Sequence, residues 1–120
     1  AIDYFNWLLK DRTFAQFAYY PYCWYWSVLA HYQMGNKLLV ASITSSINNV
    51  LKKRIAKYPH EKELNKCFKK LATTKTTKNE LEVLGEIQQL LSNGLKQVNS
   101  VDQHGYEEML EWLDKRLETV

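Results

Sequence analysis

The chain has 120 residues, of which 46% are hydrophobic and 24% charged, with only 4 Gly and 2 Pro. That length supports one core rather than two, and the scarcity of Gly and Pro argues against both disorder and a turn-rich all-β fold. Two cysteines, Cys23 and Cys67, lie too far apart in sequence to supply a disulfide framework or a zinc site unaided.

The net charge of +3 conceals three blocks. Residues 1–36 balance Lys10 and Arg12 against Asp3 and Asp11. Residues 37–78 set eleven Lys or Arg against Glu61 and Glu63, a net of +9, and residues 79–120 set three bases against nine acids, a net of −6. Such asymmetry suits an electrostatic partner, but the expectation is that the blocks neutralise each other within one fold. No charged and then apolar leader opens the chain. Residues 13–36 are uncharged and long enough to span a bilayer, yet they contain Gln16, Pro21, Ser27, His31, Gln33 and Asn36, so no membrane segment and a cytoplasmic location are expected.

Apolar periodicity predicts six helices. The first covers about 2–17, with Phe5, Leu8 and Leu9 on one side. Pro21 opens a second, to about Met34, and Gly35 supplies its left-handed cap. Tyr25, Val28, Leu29 and Tyr32 form its stripe, but Trp24 and Trp26 flank it, which marks a helix central to its bundle or part of an interface. A third, long helix is expected over 36–58, with Val40, Ile43, Ile47, Val50, Leu51, Ile55 and Tyr58 inward; the β-branched residues of 38–44 make a strand the lesser alternative. Pro59 ends it, and a fourth helix fits 60–71 with Leu64, Cys67, Phe68 and Leu71 inward. A flexible loop, 72–78, follows, and Thr77-x-x-Glu80 has capping-box spacing. The fifth helix carries Leu81, Leu84, Ile87, Leu90 and Leu91 inward and stops at Asn93-Gly94. The last runs over about 102–119 with Tyr106, Met109, Leu110, Leu113 and Leu117 as its stripe. The expected fold is therefore all-α, a compact single-domain bundle of about five to six helices spanning 1–120.

His31-Tyr32-Gln33-Met34-Gly35-Asn36, followed by Ala41, resembles the helix–turn–helix crossing of a tetratricopeptide repeat over about ten residues. No second copy recurs at the ~34-residue period, so the resemblance is read as helix-hairpin grammar.

Chemistry-bearing motifs are sparse. His31, His60 and His104 stand in no metal motif. His104 has H-x-x-E spacing with Glu107, and Glu108 follows it, but the position beside Gly105 at a helix start reads as a capping His. Cys23 and His31 would be separated by about 12 Å of helical rise, too far for a thiol–base pair. Cys67 reads as packing. With no phosphate loop or nucleophile elbow either, no enzyme is expected, and no catalytic, cofactor or metal residue is assigned.

Two features remain. Tyr19, Tyr20, Tyr22, Trp24, Tyr25 and Trp26 crowd into eight residues, more than one helix can aim at one neighbour. Tyr and Trp are the anchors that binding hot spots favour, so Tyr19, Tyr20, Tyr22, Trp24 and Trp26 are the expected protein-binding or self-association surface. Lys52, Lys53, Arg54, Lys57, Lys62, Lys66, Lys69 and Lys70 form a basic face whose like-charge pairs call for an acidic counterpart, with Glu107, Glu108, Glu111 and Asp114 as the internal candidate. The expected function is a small non-enzymatic protein-binding domain of regulatory, immunity, anti-defence or adaptor type. The alternative is a nonspecific nucleic-acid binder using the basic face.

Overall fold

The computed structural model describes residues 20–119. The helix expected over 2–17, and Tyr19, lie outside them. Among the described residues the fold is all-α, with six α-helices, one 3₁₀ turn and no strand. None of these helices is long and apolar enough to cross a membrane.

Helix α1 (Tyr20–Gln33) begins with Pro21 in its first turn, where a missing N–H costs no helical bond. It ends in a Schellman arrangement: Gly35 adopts φ 80°, Asn36 N–H donates to His31 O at 2.9 Å, and Gly35 N–H donates to Tyr32 O at 3.0 Å. The chain then reverses into α2 (Lys37–Val50).

The single helix expected over 36–58 is broken in two. Leu51 leaves helical geometry (φ −101°, ψ 26°), and the chain restarts as α3 (Lys52–Lys57). Asn48, Asn49 and Val50 precede the break, three residues with weak helix preference in succession. The elbow turns Val50 out to 46% exposure, although its spacing predicted burial, and Thr44 is buried on α2 beside Val40 and Ile47.

Pro59 opens α4 (Pro59–Leu71), which buries Leu64, Cys67, Phe68 and Leu71 as its periodicity predicted. The 72–76 turn leads to α5 (Thr77–Gly94). Its N-cap is Thr76, whose Oγ1 accepts from Asn79 N–H at 3.2 Å, one residue earlier than the capping box expected at Thr77. Glu80 is instead drawn to Tyr32 Oη, which donates to it, and to Arg116, 3.4 Å away. Burial first, and then the Glu80 bond, push the Tyr32 phenol up to about 12. A 3₁₀ turn (Leu95–Gln97) precedes α6 (Ser100–Thr119).

Successive hairpins place α1 against α2, α2 against α4, α4 against α5 and α5 against α6. Helix α6 closes the bundle by side-chain contact with α1: Trp112 meets Trp26 edge-on at 6.5 Å and Tyr106 meets Tyr22 at 6.4 Å. This closure explains why α1 is apolar nearly all round.

Gly105 is what lets α6 approach so closely. A Cβ there would lie 2.5 Å from Tyr22 Cε1, and that ring is pinned by its hydrogen bonds. In an open helix Gly→Ala gains about 1 kcal/mol. Here Gly105→Ala is expected to destabilise by about 1–3 kcal/mol, the usual cost of overpacking, which urea unfolding measures.

Candidate functional site

The elbow at Leu51 and Pro59 at the start of α4 together bring Arg54 and Glu61 face to face. Glu61 is fully buried. Its Oε1 accepts from Arg54 Nε at 2.6 Å and from Tyr25 Oη, while its Oε2 accepts from Arg54 Nη2 at 2.7 Å and from Tyr106 Oη. Four donors fill the lone-pair positions of the carboxylate, leaving none for a substrate. Arg54 continues to α6 and α1: Nη1 lies 3.1 Å from Asp102 Oδ1 and Nη2 donates to Tyr22 Oη at 3.1 Å. Tyr22 in turn donates to Asp102 Oδ1 at 2.6 Å. The guanidinium also lies over the rings of Tyr22 and Tyr58, 5.3 Å from each centroid.

Burial opposes the Arg54 charge, but the Glu61 bonds outweigh it and hold the side chain more firmly protonated than usual. Burial, reinforced by Glu61 or Asp102, raises the phenols of Tyr22, Tyr25 and Tyr106 far above the ordinary tyrosine value. Because Tyr106 Oη gives its proton to Glu61, it accepts from His60 Nε2 at 2.6 Å, and His60 Nδ1 is left buried without a partner.

On the solvent side of this network lies a cleft of about 780 Å³ between the elbow and the start of α6. Lys52, Lys53 and Lys57 line it, together with Asn49 and Asn99, and Pro21, Val50 and Val101 give it apolar walls. A second groove of about 480 Å³ runs on the other side of α3, lined by Lys52, Lys62, Lys66, Asn48, Ile55 and Pro59.

The sequence-predicted residues fall out unevenly. The aromatic cluster is mainly core: Tyr20 and Tyr22 are buried with Tyr25, and Trp24 and Trp26 are half-buried, Trp24 edge-on to Tyr20 and Trp26 edge-on to Trp112. Tyr22 is thus a member of the ion network rather than a surface anchor. Arg54 is likewise turned inward, whereas Lys52, Lys53, Lys57, Lys62, Lys66, Lys69 and Lys70 are exposed.

The charge blocks neutralise each other only in part. Arg54 meets Asp102 and Lys70 meets Glu86 at 3.4 Å, while Lys66 pairs locally with Glu63. Lys52, Lys53, Lys57 and Lys62 form no ion pair among the described residues. Three of the four acids expected to relieve them are engaged elsewhere, Glu108 with His104, Glu111 with Lys115 and Asp114 with Gln88, and Glu107 is exposed without reaching them.

Cys23 and Cys67 are buried thiols; burial raises both, Cys67 to about 11, which disfavours the reactive thiolate. Among the described residues no group of three His, Cys, Asp or Glu is placed to hold a metal ion.

Glu61 and Asp102 were missed as network members because acids are ordinarily assigned to solvent. The usable signal was their register: Glu61 shares the inward stripe of Leu64, Phe68 and Leu71, and Asp102 that of Tyr106, Met109 and Leu113.

One further surface stands apart. Beyond Lys37, whose Nζ donates to Thr74 O at 2.5 Å, helix α2 carries no charge. Its outer side shows Leu38 at 89% exposure and Leu39 at 47%, followed by exposed Ser42 and Ser45, with Met34 at 66% in the preceding turn. Comparison with protein-family models, curated proteins and solved structures returned no match.

Two outcomes follow from the network. Glu61→Gln leaves Arg54 with Asp102 as its remaining carboxylate but turns an amide NH₂ toward buried donors that lose their acceptor. It is expected to destabilise by about 1–3 kcal/mol in chemical denaturation. Burial lowers the His60 pKa below the usual 6.5, so the unfolded chain takes up the proton first as pH falls. The His60 contribution to stability is therefore lost as pH drops through 6.5 towards the folded value. Denaturation midpoints measured from pH 7.5 to 5 are expected to fall less steeply for His60→Gln than for wild type.

Proposed function

We propose that this chain is a small non-enzymatic protein-binding domain whose docking surface is the outer side of α2 and the turn before it. The observation that carries the reading is the contrast in charge. The outer sides of α4, α5 and α6 present Lys62, Lys69, Glu82 and Glu107 among other charges, whereas α2 presents Leu38, Leu39, Ser42 and Ser45 over about two turns. Charged residues are depleted where protein partners bury surface, and contiguous exposed apolar side chains are retained mainly at contact sites. Helix α1 packs against the inner side of α2, behind this surface. Small serines beside two leucines allow a partner backbone or side chain to approach closely. With α2 spanning about 21 Å, the face is long enough for one partner helix or strand.

An interface of this kind draws on apolar burial and is insensitive to salt. Leu38→Asp alters a side chain in open solvent and is expected to leave the melting temperature unchanged. Used as bait in affinity capture at 0.5 M salt, it should lose the partner that wild type and Lys53→Glu both retain. If the partner is a second copy, the same substitution converts a dimer to a monomer in sedimentation velocity. Retention of the same partner, at the same yield, by Leu38→Asp would overturn the assignment.

A further inference from the structure

Apart from the α2 face, the elbow cleft has a physical character of its own. We propose that it is a binding site for single-stranded nucleic acid, in which Lys52, Lys53 and Lys57 hold phosphates while a base lies against Val50 and Val101.

Three observations converge. The first is a surplus of positive charge: these lysines have no ion-pair partner among the described residues. Lys57 Nζ lies over the Tyr58 ring at 5.2 Å, and the one carboxylate in the cleft lining, Asp102, is already paired with Arg54. The second is the cleft's lining. Val50 and Val101 are 46% and 41% exposed, two of the five large apolar side chains open to solvent among the described residues, and both line this one space. A cleft of about 780 Å³ with apolar walls and a cationic rim suits a ligand that joins a flat apolar ring to an anion. Asn99 adds direction: its Oδ1 accepts from Asp102 N–H, so its amide NH₂ remains to donate to a base carbonyl or a phosphate oxygen.

The third observation is continuity. Lys52 belongs to both grooves, and from it the positive charge passes to Lys62, unpaired among the described residues. It continues to Lys66, which shares its charge with exposed Glu63 at 3.3 Å and stands one turn along α4, about 6 Å. A polymer with one negative charge per unit can occupy both grooves. An acidic peptide with one apolar anchor would account for the first and leave the second unused. Bases stacked inside a duplex cannot enter the cleft without being flipped out, which selects a single strand. Lysine presents a point charge rather than the planar fork of arginine, so binding should tolerate any sequence.

The test is fluorescence anisotropy of the full chain with a labelled 12-nucleotide mixed-sequence single strand, its duplex, and polyglutamate of equal length, at 50 and 200 mM salt. The single strand is expected to bind best and to weaken about 20- to 100-fold between the two salts, as release of counterions from three to five phosphates requires. Lys53→Glu combined with Lys57→Glu should weaken it at least tenfold with an unchanged melting temperature. Val101→Ser should weaken the single strand about three- to tenfold and leave the duplex unaffected, which separates base contact from general attraction. Leu38→Asp should bind it as wild type does, so this site and the α2 face fail or stand separately. Equal or tighter binding of the duplex or of polyglutamate, or no binding of the single strand at 50 mM salt, would overturn the proposal.

Discussion

Everything in this fold is arranged around one buried carboxylate. Glu61 sits at the start of α4 with no exposure to water, where an isolated charge would be prohibitive. It is tolerable only because α1, α3 and α6 each send it a donor: Tyr25, Arg54 and Tyr106. Helices that share little other contact are thereby fixed relative to one another. The energetic sense is asymmetric. Forming such a pair returns little beyond its desolvation cost, while removing one member strands the other. Its value lies in geometry: only one mutual placement of these helices satisfies all four donors.

That constraint reaches the surface. To serve Glu61, Arg54 must turn inward, and α3 must leave the line of α2, which the elbow at Leu51 permits. The same turn lifts Lys52, Lys53 and Lys57 away from the bundle and opens space beneath Val50 and Val101. The network itself holds two carboxylates against one guanidinium, a formal excess of one negative charge just behind the lysine rim. The cleft is thus a by-product of core electrostatics, whereas the uncharged face of α2 arises from the sequence of that helix alone.

Much of the bundle was legible from periodicity. The stripe of α4 read correctly and those of α5 and α6 in part: Leu84, Ile87, Leu91, Tyr106, Met109 and Leu113 are buried, but Val83 is buried where Leu81 was expected, and Leu90, Leu110 and Leu117 are half-buried. Gly35 and Pro59 mark boundaries by backbone geometry that other residues disfavour. Reading failed where burial and polarity part company. Glu61 and Asp102 look like solvent residues until the tyrosines that satisfy them are placed, and those arrive from positions 36 to 80 residues away. The aromatic run misled in the opposite sense: a helix wrapped by α2 and by α6 needs large apolar groups on nearly every side, so a cluster suggestive of a binding surface is mostly interior. The break at Leu51 was hidden because Ile47, Leu51 and Ile55 keep helical spacing across it.

By itself, the sequence determined the all-α class, the approximate helix limits, the single core and the block distribution of charge, since each follows from local spacing or from composition. Only the tertiary structure decided which charges are spent. Whether an arginine among lysines faces water or a buried carboxylate depends on partners distant in the chain. Pairing of that kind is a property of packed helices, because desolvation and hydrogen-bond geometry act between segments and leave no periodic trace within one.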